Sequence, residues 1–222
     1  MTSQHNSPGP TMAQLASAIR VLLILGMLYP LLTLLELKSQ AEPAKFLLHD
    51  WGQAGFLILC GNLIAGSLWE LGLRRLTQAR GWNGIGPQFL KLRRHSGVIS
   101  FFWLTAHAML LIVLEAGWIE AGQALAQALY LQLALAGWLC LATLALSSNN
   151  LAQRRLGKSW RRLHRLSYPA FSLGLAHTLL IEKADLLFFG TWGAAVVALW
   201  ILRGIQFWVR LRRVPHAMPA PQ

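Results

Sequence analysis

The sequence predicts an all-α fold, an integral membrane six-helix bundle with both termini on the inner side (N-in/C-in). Three observations carry this reading. Of 222 residues, 55% are hydrophobic and only 13% are charged, about half the charged share of a soluble domain. Six apolar runs follow one another, near 15–37, 51–73, 96–116, 121–147, 165–182 and 186–208. The charges between them alternate by loop.

Each run approaches the roughly 20 apolar residues needed to cross a bilayer at about 1.5 Å per residue. Backbone groups in hydrocarbon must pair within their own segment, so these runs are helices. The first inner loop carries Arg74, Arg75, Arg80, Lys91, Arg93 and Arg94. The second carries Arg154, Arg155, Lys158, Arg161, Arg162 and Arg165. Arg20 opens the first run, and Arg203, Arg210, Arg212 and Arg213 close the last. Only Lys38, Lys45 and Lys183 fall outside, among Glu36, Glu42, Asp50, Glu115, Glu120, Glu182 and Asp185, while Glu70 alone stays inside. This asymmetry sets the orientation and an even number of crossings. The formal net charge of +12 is therefore topological, and the implied partner is membrane lipid, with no nucleic acid.

Residues 1–14 and 214–222 read as disordered tails, containing His5 and His216, around one transmembrane domain over 15–213. Residues 1–14 lack a basic n-region and no cleavage pattern follows Leu35, so the first run reads as a retained helix. The longest loops are expected at 74–94 and 148–164. Gly81, Gly84 and Gly86 give turn chemistry to the first. No strand precedes them, so they form no dinucleotide fingerprint. Reducing power must come from another protein or a freely bound carrier. Cys60 and Cys140 stand alone within runs, with no heme-attachment or iron–sulfur spacing, and read as small buried hydrophobes.

Four histidines can carry chemistry. His107 lies in the third run and His177 in the fifth, each about twelve residues, or roughly 18 Å, from the inner boundary. A metal-binding side chain at membrane depth is a functional candidate, because lipid burial is costly. Two imidazoles at one depth can ligate a heme iron from both sides, giving a six-coordinate site suited to electron transfer. His95 and His164 repeat the arrangement at the inner face and suggest a second heme. Arg94 and Arg162, with their arginine neighbours, are candidates to pair with heme propionates. The twelve- and thirteen-residue spacings do not fall on one helical stripe. Either Pro169 changes the phase of the fifth helix, or His164 sits before it. His49 reads as an interfacial residue, and Trp51, Trp69, Trp118, Trp160 and Trp208 as a boundary belt. Trp103, one turn before His107, packs on a porphyrin face or on a neighbouring helix.

The run Gln153-Arg154-Arg155-Leu156-Gly157-Lys158-Ser159-Trp160-Arg161-Arg162-Leu163-His164-Arg165-Leu166-Ser167-Tyr168, followed by His177, resembles a signature of the ferric reductase-like transmembrane superfamily. Within it the chain is similar to the MsrQ (YedZ) family. Leu92-Arg93-Arg94-His95-Ser96-Gly97, running on to His107, is a second match, and the resemblance covers about residues 15–213. It implies a subunit of the bacterial inner (cell) membrane carrying heme b, one or two per chain, on His107, His177 and His164. Electrons would come from a cytoplasmic flavin reductase or quinone. They would pass to a periplasmic molybdopterin reductase, MsrP-like, that repairs methionine sulfoxide. Some members also bind FMN. Two other readings are a stand-alone transmembrane reductase of ferric iron or another external acceptor, and a non-heme transporter or structural membrane protein.

Overall fold

The computed structural model describes residues 11–36, 42–82, 85–114, 117–181 and 185–212, and among them there are helices and turns and no strand. Thr11 caps α1 (Met12–Gly26) through a reciprocal capping box with Gln14, so the N-terminal tail ends before residue 14. Its remainder, the 214–222 tail, Lys38, Glu115, Glu182 and Lys183 lie outside the described residues. Pro30 cannot continue a helical ladder, and the first run breaks there into a 3-10 turn (Tyr29–Leu32) and α2 (Thr33–Glu36).

Pro43 opens α3 (Pro43–Leu68), which passes through a π turn (Trp69–Leu73) into α4 (Arg74–Ala79). α5 (Ile85–Leu114) follows, leaving only a short connection around Gly81, whose φ is 68°. The expected loop over 74–94 is therefore mostly helix. α6 (Trp118–Gln127) precedes α7 (Leu129–Leu146), so the fourth run is two helices with a break at Ala128. The expected loop over 148–164 is also largely helical, as α8 (Asn150–Leu156) and α9 (Lys158–Leu163) about Gly157. A 3-10 turn (His164–Leu166) leads into α10 (Ser167–Leu179), and α11 (Leu186–Arg212) ends the bundle. Pro169 sits in the first turn of α10, where its missing N–H costs little. His164 precedes that helix, so the 3-10 turn sets the phase between His164 and His177.

Five helical stretches are long and apolar enough to cross a membrane: Gln14–Glu36, Pro43–Ala79, Ile85–Val113, Leu129–Leu146 and Leu186–Val209. α10, of 13 residues, is too short to count on length alone. It nevertheless lies inside the bundle. Ala170 and Phe171 join Phe56, Leu59, Cys60 and Leu63 of α3, Leu141 of α7, and Phe189 and Val196 of α11 in one core. Phe56 stacks on Phe171 at 6.1 Å and meets Phe189 edge-on at 5.1 Å. Cys60 belongs to this core, Cys140 packs against it, and both are free thiols. Trp103 is fully buried; it packs on Trp51 at 5.5 Å and donates Nε1–H to the Met27 carbonyl at 3.0 Å.

α3 and α5 run antiparallel along a seam of small residues. A Cβ on Gly52 would lie 2.7 Å from His107 Nδ1, one on Gly55 2.7 Å from Leu104, and one on Gly66 2.6 Å from the Arg93 guanidinium. Each step forward on α3 is matched by an equal step back on α5. Asn62 and Arg93 lock the register: Asn62 Nδ2 donates to the Arg93 carbonyl at 2.8 Å, and Arg93 Nε donates to Asn62 Oδ1 at 3.1 Å. Ser100 Oγ adds a bond to the Gly55 carbonyl at 2.8 Å. Without a hydrophobic force between helices in lipid, such close approach and interhelical hydrogen bonding hold the pair.

Arg93→Met should cost about 1.5–3 kcal/mol in unfolding followed by circular dichroism in detergent, the range for a hydrogen bond to a charged group. Arg162→Met, at an exposed side chain with no hydrogen bond among the described residues, should leave that transition unmoved. At Gly137, where a Cβ would stand 3.4 Å from the Ala170 carbonyl oxygen, alanine should be accepted. Gly137→Leu should cost about 1–3 kcal/mol by forcing α7 off α10.

Candidate functional site

His107 and His177 are each fixed from another helix. His107 Nδ1 lies 2.7 Å from the Leu48 carbonyl of α3, and His177 Nδ1 lies 2.9 Å from the Tyr130 carbonyl of α7. A carbonyl only accepts, so both rings carry their proton on Nδ1 and present Nε2 as a bare lone pair. Leu48 and Tyr130 lie near the starts of helices that enter from the same side. Each imidazole is thus fixed near the start of a neighbouring helix. Carbonyl support of Nδ1–H is the arrangement that orients a metal-bound histidine and raises its basicity.

Gly52 makes the first anchor possible. The Leu48 carbonyl points along α3 toward residue 52, and any Cβ there would collide with the His107 ring. On the other side Tyr130 stacks against His177, with ring centroids 5.8 Å apart. Trp138 donates Nε1–H to Thr105 Oγ1 at 3.0 Å, tying α7 to α5 two residues before His107. The two ring anchors themselves are backbone carbonyls, which residue identity alone does not reveal; the glycines at 52, 55 and 66 are the signal from which close approach could have been read.

At the basic end the histidines are held within their own helical turns. His164 Nδ1 donates to the Trp160 carbonyl at 3.1 Å and its ring lies 3.8 Å from that of Trp160. Burial holds the His164 imidazole below its ordinary pKa, and Arg93 and Arg94 push the same way against the Trp160 carbonyl. His164 is thereby biased to the neutral form that can ligate a metal. His95 Nδ1 donates to the Lys91 carbonyl at 2.6 Å. Its side chain lines a separate cavity with Arg20, Lys91 and Arg94. No hydrogen bond or ring contact joins His95 to His164 among the described residues. Arg94 is engaged by the protein, donating to the Ser148 carbonyl and, at 2.7 Å, to Asn150 Oδ1. Arg162 is exposed. His49 is also exposed.

No three His, Cys, Asp or Glu side chains converge among the described residues. His107 and His177 are the residues that would hold a metal bringing most of its ligands in a macrocycle. Residues 51–175 match the family described as ferric reductase like transmembrane component, a stretch that holds α5, α7 and all but the last turns of α10. The chain is also 30% identical over 203 residues to the protein-methionine-sulfoxide reductase heme-binding subunit MsrQ of Cronobacter sakazakii (strain ATCC BAA-894). That alignment covers 86% of this chain and 94% of the relative. Helices, signature and relative agree: this multi-pass membrane protein belongs to the MsrQ family of the ferric reductase-like transmembrane superfamily.

Proposed function

We propose that this chain is the heme-binding electron-transfer subunit of a bacterial inner-membrane methionine sulfoxide reductase system, passing electrons to a periplasmic MsrP-like molybdopterin enzyme. The observation that carries the reading is the pair of carbonyl-anchored histidines, His107 and His177, whose Nε2 atoms make no hydrogen bond among the described residues. The relative's name, a heme-binding subunit, fits that donor set. When bound, heme b supplies a one-electron couple that needs no proton or substrate site in this chain. The protein's part is to hold two imidazoles rigid and neutral and to keep water away with the surrounding helices. Two Nδ1–H bonds to carbonyls from different helices do the holding. His164 is the next imidazole toward the basic end, and a second heme there would draw on it. A cytoplasmic flavin reductase or a quinone is the proposed donor on that side, with FMN as a further cofactor of the chain itself.

The same reading gives six crossings with both termini inside. α10 extends about 20 Å by helical rise, short of the roughly 30 Å hydrocarbon core, and the His164–Leu166 turn and neighbouring helices make up the difference. A periplasm-active reporter fused after Ile181 should be active, and one after Leu156 silent. A silent fusion at Ile181 would remove α10, the fifth of the six, as a crossing.

Purified protein should give a reduced-minus-oxidised spectrum of b type. His107→Ala and His177→Ala should each abolish the signal of that pair, and His95→Ala should keep it. Heme near one per chain assigns the His107–His177 pair alone; near two adds the His164 end. Gly52→Ala should lower heme content as His107→Ala does, at unchanged helicity, because its Cβ displaces the ring from the Leu48 carbonyl. Full heme in the His107 variant would overturn the assignment.

A further inference from the structure

The cavity between α1, α5 and the α7–α8 turn takes no part in the histidine pair, and its chemistry is one-sided. Of about 540 Å³, it is lined by Arg20, Lys91, Arg94 and His95, with Val98 and Ile99 below them. Three cations converge on it, and no carboxylate is among the lining residues. Arg94 spends Nε on the Ser148 carbonyl and Nη1 on Asn150, which leaves Nη2. Arg20 is less well served. Its Nε is buried with no hydrogen-bond partner, and its Nη2 reaches Ser17 Oγ only at 3.5 Å. Buried donors in native proteins are paired, so a donor left over beside two further cations calls for an anion from outside the chain.

The shape of the site narrows the anion to a phosphate ester with an apolar tail. Val98 and Ile99 continue the cavity along α5 away from the charges, within the stretch of α5 apolar enough to cross the bilayer. Leu15, Ile19 and Leu22 leave apolar surface exposed on α1. A soluble phosphate has no use for such a wall, whereas an acyl chain does. His95 adds a second preference. Its Nδ1–H is spent on the Lys91 carbonyl, so Nε2 is an acceptor beside the cations, whereas the Ser148 carbonyl and Asn150 Oδ1 in the same lining are already taken by Arg94. That suits a headgroup bearing hydroxyls.

We propose that this cavity binds one anionic phospholipid of the phosphatidylglycerol type, its phosphate between Arg20, Lys91 and Arg94 and its acyl chain along Val98 and Ile99. Basic pockets between transmembrane helices on the cytoplasmic side are suited to such headgroups. The site stands independently of the heme reading.

The test is native mass spectrometry of the full chain released from nanodiscs of equal phosphatidylglycerol and phosphatidylcholine. One phosphatidylglycerol per chain should be retained in preference to phosphatidylcholine. Arg20→Gln and Lys91→Gln should each lower that retention about fivefold, the worth of one cation near an anionic lipid. Arg155→Gln, exposed on α8, should not. Circular dichroism checks that each variant keeps its helices; should Arg20→Gln unfold, the exposed Lys91 position still decides. Equal retention of both lipids, or an equal loss in Arg155→Gln, overturns the proposal. So does displacement of the lipid by inorganic phosphate or flavin mononucleotide, which would assign the cavity to a soluble phosphate.

Discussion

The close approach of α3 and α5 is the constraint on which the rest of the bundle depends. In lipid, helices gain little by hiding apolar side chains from surroundings that are equally apolar. What holds this pair is the absence of Cβ atoms at Gly52, Gly55 and Gly66 and the reciprocal Asn62–Arg93 bonds. The same seam decides chemistry. With α3 at that distance His107 reaches a carbonyl across the interface, and with α3 further off it would have none. The core of Phe56, Phe171 and Phe189 then builds outward from the adjoining face of α3, drawing α10 and α11 onto it.

The histidines divide by how they are held. Those at membrane depth, His107 and His177, are fixed by carbonyls of other helices, so their orientation is a property of the tertiary fold. Those at the basic end, His95 and His164, bond to carbonyls four residues back, so theirs is a property of the local turn. Interhelical anchoring restrains a ring against rotation of either helix. It is the form expected where a rigid pair of axial donors is needed.

Much of the fold was legible because lipid imposes simple rules. Apolar runs of sufficient length marked five stretches now seen as long helices, and His107 and His177 stood out as costly residues at matched depth. Other features were hidden for physical reasons. The helices within 74–94 and 148–164 carry too many charges and glycines to read as spans, yet local hydrogen bonding and the Asn149 cap keep them helical. The break at Ala128 has no proline or glycine to announce it. On α5, Arg93 faces α3, while His95, two residues on and about 200° round the helix, lines the basic cavity. Trp103 packs on Trp51 and fastens α1 through the Met27 carbonyl.

That anchor bears on how the chain is made. The break at Pro30 leaves the Met27 carbonyl without a partner in its own helix, and Trp103 supplies one from 76 residues further along. At roughly 5–20 residues per second of synthesis, α1 emerges about 4–15 s before the tryptophan that will fasten it. During that interval it must persist in the bilayer as a solitary segment. Its apolar surface, the least covered of the five long stretches in the finished protein, is what lets it wait. The order of biogenesis is thus written into the first helix: insertion comes early and alone, and docking comes only after α5 arrives.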